Sequence, residues 1–116
     1  MNQTNRTTLK QMFIAIGKAM IVNGERFSFN QVVYDDTNNE LIVSYQSNVP
    51  RGIFADSFDQ LVVTVAYDDG ADLYNVKVRK FDAEEYTDAL VFECDGFYND
   101  QFADLPNFLT HAMKVA

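Results

Sequence analysis

LVVTVAYDDGADLYNVKVRK, residues 61–80, holds two extended apolar runs on either side of a polar turn, and its reading decides the fold. Leu61 to Ala66 carries apolar or β-branched side chains with no polar alternation, which predicts a strand covered on both faces or lying centrally, the middle strand of the sheet. Asp68-Asp69-Gly70-Ala71-Asp72 is rich in the residues that turns prefer. Beyond it, Tyr74, Val76 and Val78 alternate with Asn75, Lys77 and Arg79, so one side is apolar and the other polar. Two such runs joined by a short turn predict an antiparallel hairpin.

The same period extends towards the N-terminus. Phe27, Phe29, Gln31 and Val33 alternate with Ser28, Asn30, Val32 and Tyr34, and Leu41, Val43 and Tyr45 alternate with Ile42, Ser44 and Gln46. The polar run from Asp35 to Asn39 turns the chain between them. Ser47 to Ser57 is predicted as an irregular connection, with a turn at Val49-Pro50-Arg51-Gly52 and with Ile53 and Phe54 tucked under the sheet. Ala89 to Cys94 supplies a fifth strand.

Helical spacing flanks the strands. Leu9, Met12, Phe13, Ile16 and Met20 recur at three and four, which predicts an N-terminal helix that Asn23-Gly24 ends. Phe102, Leu105, Leu109 and Met113 predict a closing helix, with Asp104 as its cap and Pro106 in its first turn. The expected class is α+β: an N-terminal helix, a mostly antiparallel five-stranded sheet and a C-terminal helix. Residues 1–8 read as a flexible tail and 9–116 as a single domain.

Composition narrows the function. The chain has 116 residues, 47% of them hydrophobic, including 10 Phe and 6 Tyr, enough for one core but not two. Seventeen acids against nine bases give a formal net charge of −8. That balance opposes direct binding to nucleic-acid phosphates or anionic membranes, and attracts a protein partner with a basic surface. Cys94 is the only cysteine, which excludes an internal disulfide and fits a cytoplasmic, reducing compartment. The apolar run from Met12 to Val22 is broken by Gly17 and Lys18, so neither a signal peptide nor a spanning helix is expected.

The acids are concentrated. Between Asp82 and Asp104 there are eight, at 82, 84, 85, 88, 93, 95, 100 and 104, with no Lys or Arg among them. Carboxylates held in rows on a rigid sheet can imitate phosphate charge and occupy a basic groove. The plainer account is a solvated surface that keeps the protein soluble. Asp82, Glu84, Glu85, Asp88, Glu93 and Asp95 are the expected partner-binding acids, with Tyr86, Phe97 and Tyr98 as apolar anchors. The remaining tyrosines and phenylalanines pack strands or contribute to an interface.

Other chemistry is thinly represented. Lys77, Arg79 and Lys80 are expected to pair with cross-strand acids such as Glu93 or Glu40 rather than with phosphate. Asp68, Asp69 and Asp72 lack the spacing of a calcium loop, so a plain turn is expected and no metal. His111, the only histidine, is placed in the last turn of the closing helix. Cys94, between Glu93 and Asp95, sits beside negative charge that opposes a thiolate. Asn75-Val76-Lys77 has Asn where a metal-dependent nuclease needs a carboxylate. No enzyme activity and no cofactor are expected.

These residues predict a small acidic non-enzymatic binding protein, an inhibitor or nucleic-acid mimic that blocks a basic surface. Such a composition is similar to that of small inhibitors and accessory proteins encoded by phages and mobile elements. The alternative is a homo-oligomeric structural or assembly protein that associates through sheet aromatics or an unpaired edge strand. A third reading is a small-molecule binder with an apolar pocket between helix and sheet.

Overall fold

The computed structural model describes residues 14, 16–22, 24–35, 40–51, 57–68, 73–83, 85–98, 101 and 104–115. Six strands follow one another, β1 (Ala19–Val22), β2 (Glu25–Asp35), β3 (Glu40–Arg51), β4 (Ser57–Asp68), β5 (Leu73–Asp82) and β6 (Thr87–Phe97), before a helix, α1 (Leu105–Val115). The strands form one antiparallel sheet in sequence order, each pairing with its neighbours along the chain. Among the described residues the fold is therefore mainly β, with six strands where five were expected and one helix at the C-terminal end.

Alternation decides which face is buried. Leu41, Val43 and Tyr45 on β3, Leu61, Val63 and Val65 on β4, and Val76 and Val78 on β5 are wholly buried. Register aligns them across the sheet, as in Val32–Val43–Val63–Val78–Phe92. Each such side chain contributes roughly 1.5–3 kcal/mol by leaving water. On β4 the intervening Val62, Thr64 and Ala66 are only partly buried. That strand is thus covered on one face, and the unbroken apolar run misleads because valine and alanine also occupy its outer side.

Helix α1 touches both β1 and β6, the two outermost strands. A flat six-stranded sheet would hold these edges about 24 Å apart, more than a helix of about 10 Å diameter can bridge. The sheet must curl around its apolar face, and α1 sits at the open side with Leu105 and Leu109 fully buried in the core. The helix begins as expected, with Asp104 just before it and Pro106 in its first turn, where a missing N–H costs nothing. No described helix is long and apolar enough to cross a membrane.

The N-terminal expectation is corrected. No N-terminal helix is an element of the described structure, and Met20, the last residue of the proposed stripe, lies in strand β1. Of the earlier part, only Ile14 and Ile16 are described with helical backbone, and Gly17 leaves it with φ +90°. Ile16 and Met20 are both buried, as the stripe requires, yet a spacing of four satisfies a strand as well as a helix. Gly24, with φ +78°, lies in the turn between β1 and β2, whose register closes at Val22 and Glu25. Asn-Gly between alternating residues marks a hairpin more strongly than a helix end. Leu9, Met12 and Phe13 lie outside the described residues, as does the tail 1–8.

Two bulges produce further differences. Between Phe29 and Gln31 the β2–β3 register shifts, leaving Asn30 as the extra residue. Val32 and Tyr34 therefore join Phe27 and Phe29 on the core side, while Val33 is turned to solvent. A second shift between Gln46 and Pro50 keeps β3 paired with β4 through Pro50–Phe58 and Arg51–Ser57, so the expected irregular connection from Ser47 onward is largely strand. Ile53 and Phe54 lie outside the described residues.

The N-terminal entry is pinned by Tyr45, whose side chain is buried and whose hydroxyl donates to the Gly17 carbonyl at 2.6 Å. Burial pushes its pKa upward, because the phenolate cannot be solvated there. A folded-state pKa above the unfolded value of about 10 means full stability below that pH and a loss as pH rises past it. Tyr45→Phe is expected to cost about 0.5–1.5 kcal/mol near neutrality. It should also show a shallower alkaline decline in urea unfolding. A decline as steep as that of the wild type would refute the buried hydroxyl.

Candidate partner-binding face

The outward face is assembled in cross-strand rows. One runs Val33–Ile42–Thr64–Lys77–Glu93, and its neighbour runs Glu40–Ala66–Asn75–Asp95. A third, Gln31–Ser44–Val62–Arg79–Leu90, lies on the other side. Their residues are outward because the alternate positions of the same strands fill the core.

The eight clustered acids do not form one surface. Glu93 and Asp95 are exposed on the outward face of β6, as is Asp88 nearer its start. Asp82 and Glu85 belong to the β5–β6 turn, where the Glu85 N–H donates to Asp82 Oδ1 at 3.1 Å. Asp104 is exposed beside the start of α1, and Glu84 and Asp100 lie outside the described residues.

Basic residues answer part of this charge. Arg79 Nε donates to both carboxylate oxygens of Asp88, at 3.3 and 3.4 Å. Both side chains are more than half exposed, so the pair contributes little to stability. Lys77 stands directly opposite Glu93 in the ladder. Arg79 is thus paired across the sheet, with Asp88 rather than with Glu93 or Glu40, and Lys77 is positioned to pair with Glu93.

What the fold adds is Glu40. It comes from the start of β3, far from the acidic segment in sequence, and shares a shallow recess with Glu93 and Asp95. Thr64, Ala66, Asn75 and Lys77 complete the lining around about 270 Å³. Three carboxylates face one ammonium group there. In sequence Glu40 appears only as a counter-charge for the basic cluster. Its outward side follows from the alternation of β3, but its place beside β6 depends on three strand registers.

The anchors separate as well. Tyr86 and Tyr98 are 72% and 59% exposed. Phe97 is 1% exposed, with its ring against Phe92 and Phe108, so it is a core residue and not a surface anchor. The β5–β6 register shifts between Tyr74 and Asn75, leaving Gly96 as an extra residue, and this turns Phe97 inward although Asp95, two residues earlier, faces out. Tyr86 has φ +56°, a left-handed conformation that costs a bulky residue energy, and its ring meets Phe81 edge-on at 6.4 Å between centroids. Tyr45 and Tyr74 are buried, while Tyr34, Tyr67 and Phe92 pack against the core, which accounts for much of the aromatic excess.

Cys94 is half-buried on the core side, its Sγ 3.7 Å from the Asp95 carbonyl. His111 is exposed in the middle of α1 rather than in its last turn. Residues 69–72 lie outside the described part, and among the described residues no three metal-ligating side chains gather. A second recess, of about 510 Å³, lies where the two bulges meet and is lined by Ser28, Asn30, Gln46, Asn48 and Phe58 among others. It opens at the surface, whereas the side of the sheet facing α1 is filled by core side chains.

No protein-family model, curated protein or solved structure matches this chain.

The β5–β6 turn owes its position to Asp59, a β4 residue 1% exposed, whose Oδ1 accepts the buried Ala83 N–H at 2.9 Å. Asp59→Ala strands that donor and should destabilise the protein by about 1–3 kcal/mol in urea unfolding. Asp59→Asn retains an acceptor and should cost less. Equal stability of Asp59→Ala and wild type would remove this anchor.

Proposed function

We propose that this protein is a small acidic binding protein whose outward sheet face docks on a basic surface of a partner protein. The observation that carries the proposal is the convergence of Glu40 with Glu93 and Asp95, which makes an acidic patch out of two separate stretches of chain. The patch rests on paired strands, so its charges are held in place before a partner arrives, which lowers the ordering cost of association. Asp82, Glu85 and Asp88 extend the negative field towards the turn, where exposed Tyr86 offers an apolar contact.

A partner with Lys or Arg on its surface gains steering at long range and charge-assisted hydrogen bonds at contact. Blocking a basic groove is the finer form of this role. A continuous ladder of phosphate-like charge has less support, because Arg79 sits on Asp88 and Lys77 interrupts the ladder beside Glu93. We place the protein in a reducing, cytoplasmic setting on the strength of its lone cysteine.

Affinity capture from the lysate of the organism that makes the protein tests the role. Wild type should retain a partner at low salt and release it at roughly 0.5 M salt, where exposed charges are strongly screened. The double variant Glu40→Lys/Asp95→Lys should weaken capture about tenfold or more, which corresponds to about 1.4 kcal/mol. Capture that ignores both salt and charge reversal would overturn the proposal.

A further inference from the structure

β6 is the last strand of the sheet and pairs only with β5 among the described strands. A strand in that position presents backbone N–H and C=O groups on its far side, which is the template for adding another strand. The helix meets β6 through rings on the core side, Phe92 and Phe97 against Phe108. From Thr87 to Leu90 every side chain is exposed, and Leu90 alone is 46% accessible.

The charges beside this edge select the occupant. Asp88, Glu93 and Asp95 stand on the outward side of β6, while Phe92 and Cys94 face the core side. A strand laid alongside would therefore meet acids on one face and apolar groups on the other. A second copy of this chain is a poor fit: an antiparallel copy centred on Glu93 or Cys94 sets Glu93 against its own counterpart or against Asp95. Like charges directly opposite each other destabilise a ladder.

We propose that the side of β6 that no described strand covers, between Thr87 and Asp95, takes up an extended basic segment of the partner protein as a seventh strand. Lysine or arginine at alternate positions would face Asp88, Glu93 and Asp95, and small apolar residues would fall on the core side. Tyr86, strained and exposed immediately before β6, would pack against the end of that segment. This rests on the acidic-face reading above and adds the form in which the partner is bound.

The probe is a capped ten-residue peptide of alternating Lys and Val, measured by fluorescence anisotropy and by hydrogen exchange of the β6 amides. Two further peptides carry N-methyl groups on every Lys or on every Val, so each loses the main-chain donors along one edge only. Strand addition uses one edge, so one methylated peptide should bind at least about tenfold more weakly while the other keeps its affinity. The bound peptide should also protect amides between Thr87 and Asp95. Equal binding of all three peptides would overturn strand addition and leave the acidic face standing. Absence of binding by the unmodified peptide, or self-association of the protein through β6, would likewise overturn it. Salt-insensitive partner capture in the preceding experiment would remove the acidic face itself.

Discussion

A sheet with one apolar face must hide that face, and in this protein it does so by bending. The rows through Val43, Val63 and Val78 are too wide for one short helix to cover if they lie flat. Curling brings β1 and β6 within reach of α1, and Leu105 and Leu109 then seal the remaining opening. Every functional feature inherits this geometry. The inner face is used up by packing, so the outer face, the turns and the edge are what the sheet presents to solvent.

Local pairing makes such a sheet straightforward to specify. Each strand joins its sequence neighbour, so every register is set by a turn and by the need to keep one set of side chains dry. The turn residues and the alternation on β3 and β5 were readable directly. The hairpin from Leu61 to Lys80 appears, with the sides its sequence implies on β5, and the closing helix starts where Asp104 and Pro106 place it.

What escaped the sequence has identifiable causes. Ile16 and Met20 are four residues apart, a spacing that a helix and a strand both accept, so the edge strand was hidden at the end of a helical stripe. Asn30 adds a residue that no composition rule marks, and alternation counted straight through it assigns Val33 to the wrong side. Pro50 suggested a loop, although a bulged strand accommodates it. At the candidate site, charge clustering in sequence marked the acidic segment, whereas the fold divides those acids and brings Glu40 beside two of them, Glu93 and Asp95. Proximity across several strands is a property of register, which individual segments do not display.

The extra residue at Asn30 has a bearing on how this chain can change over time. It separates two stretches of β2 whose inside and outside are counted from different origins. A single-codon loss there would merge the two counts into one unbroken alternation, because the paired positions Phe29–Tyr45 and Gln31–Ser44 would become consecutive, and Val32 and Tyr34 would stay inside with Val33 outside. Substitutions along the outer side of the strand leave that bookkeeping untouched. The strand can therefore shed this one residue and still keep its inner side dry, so its length is less constrained than the identity of its buried side chains.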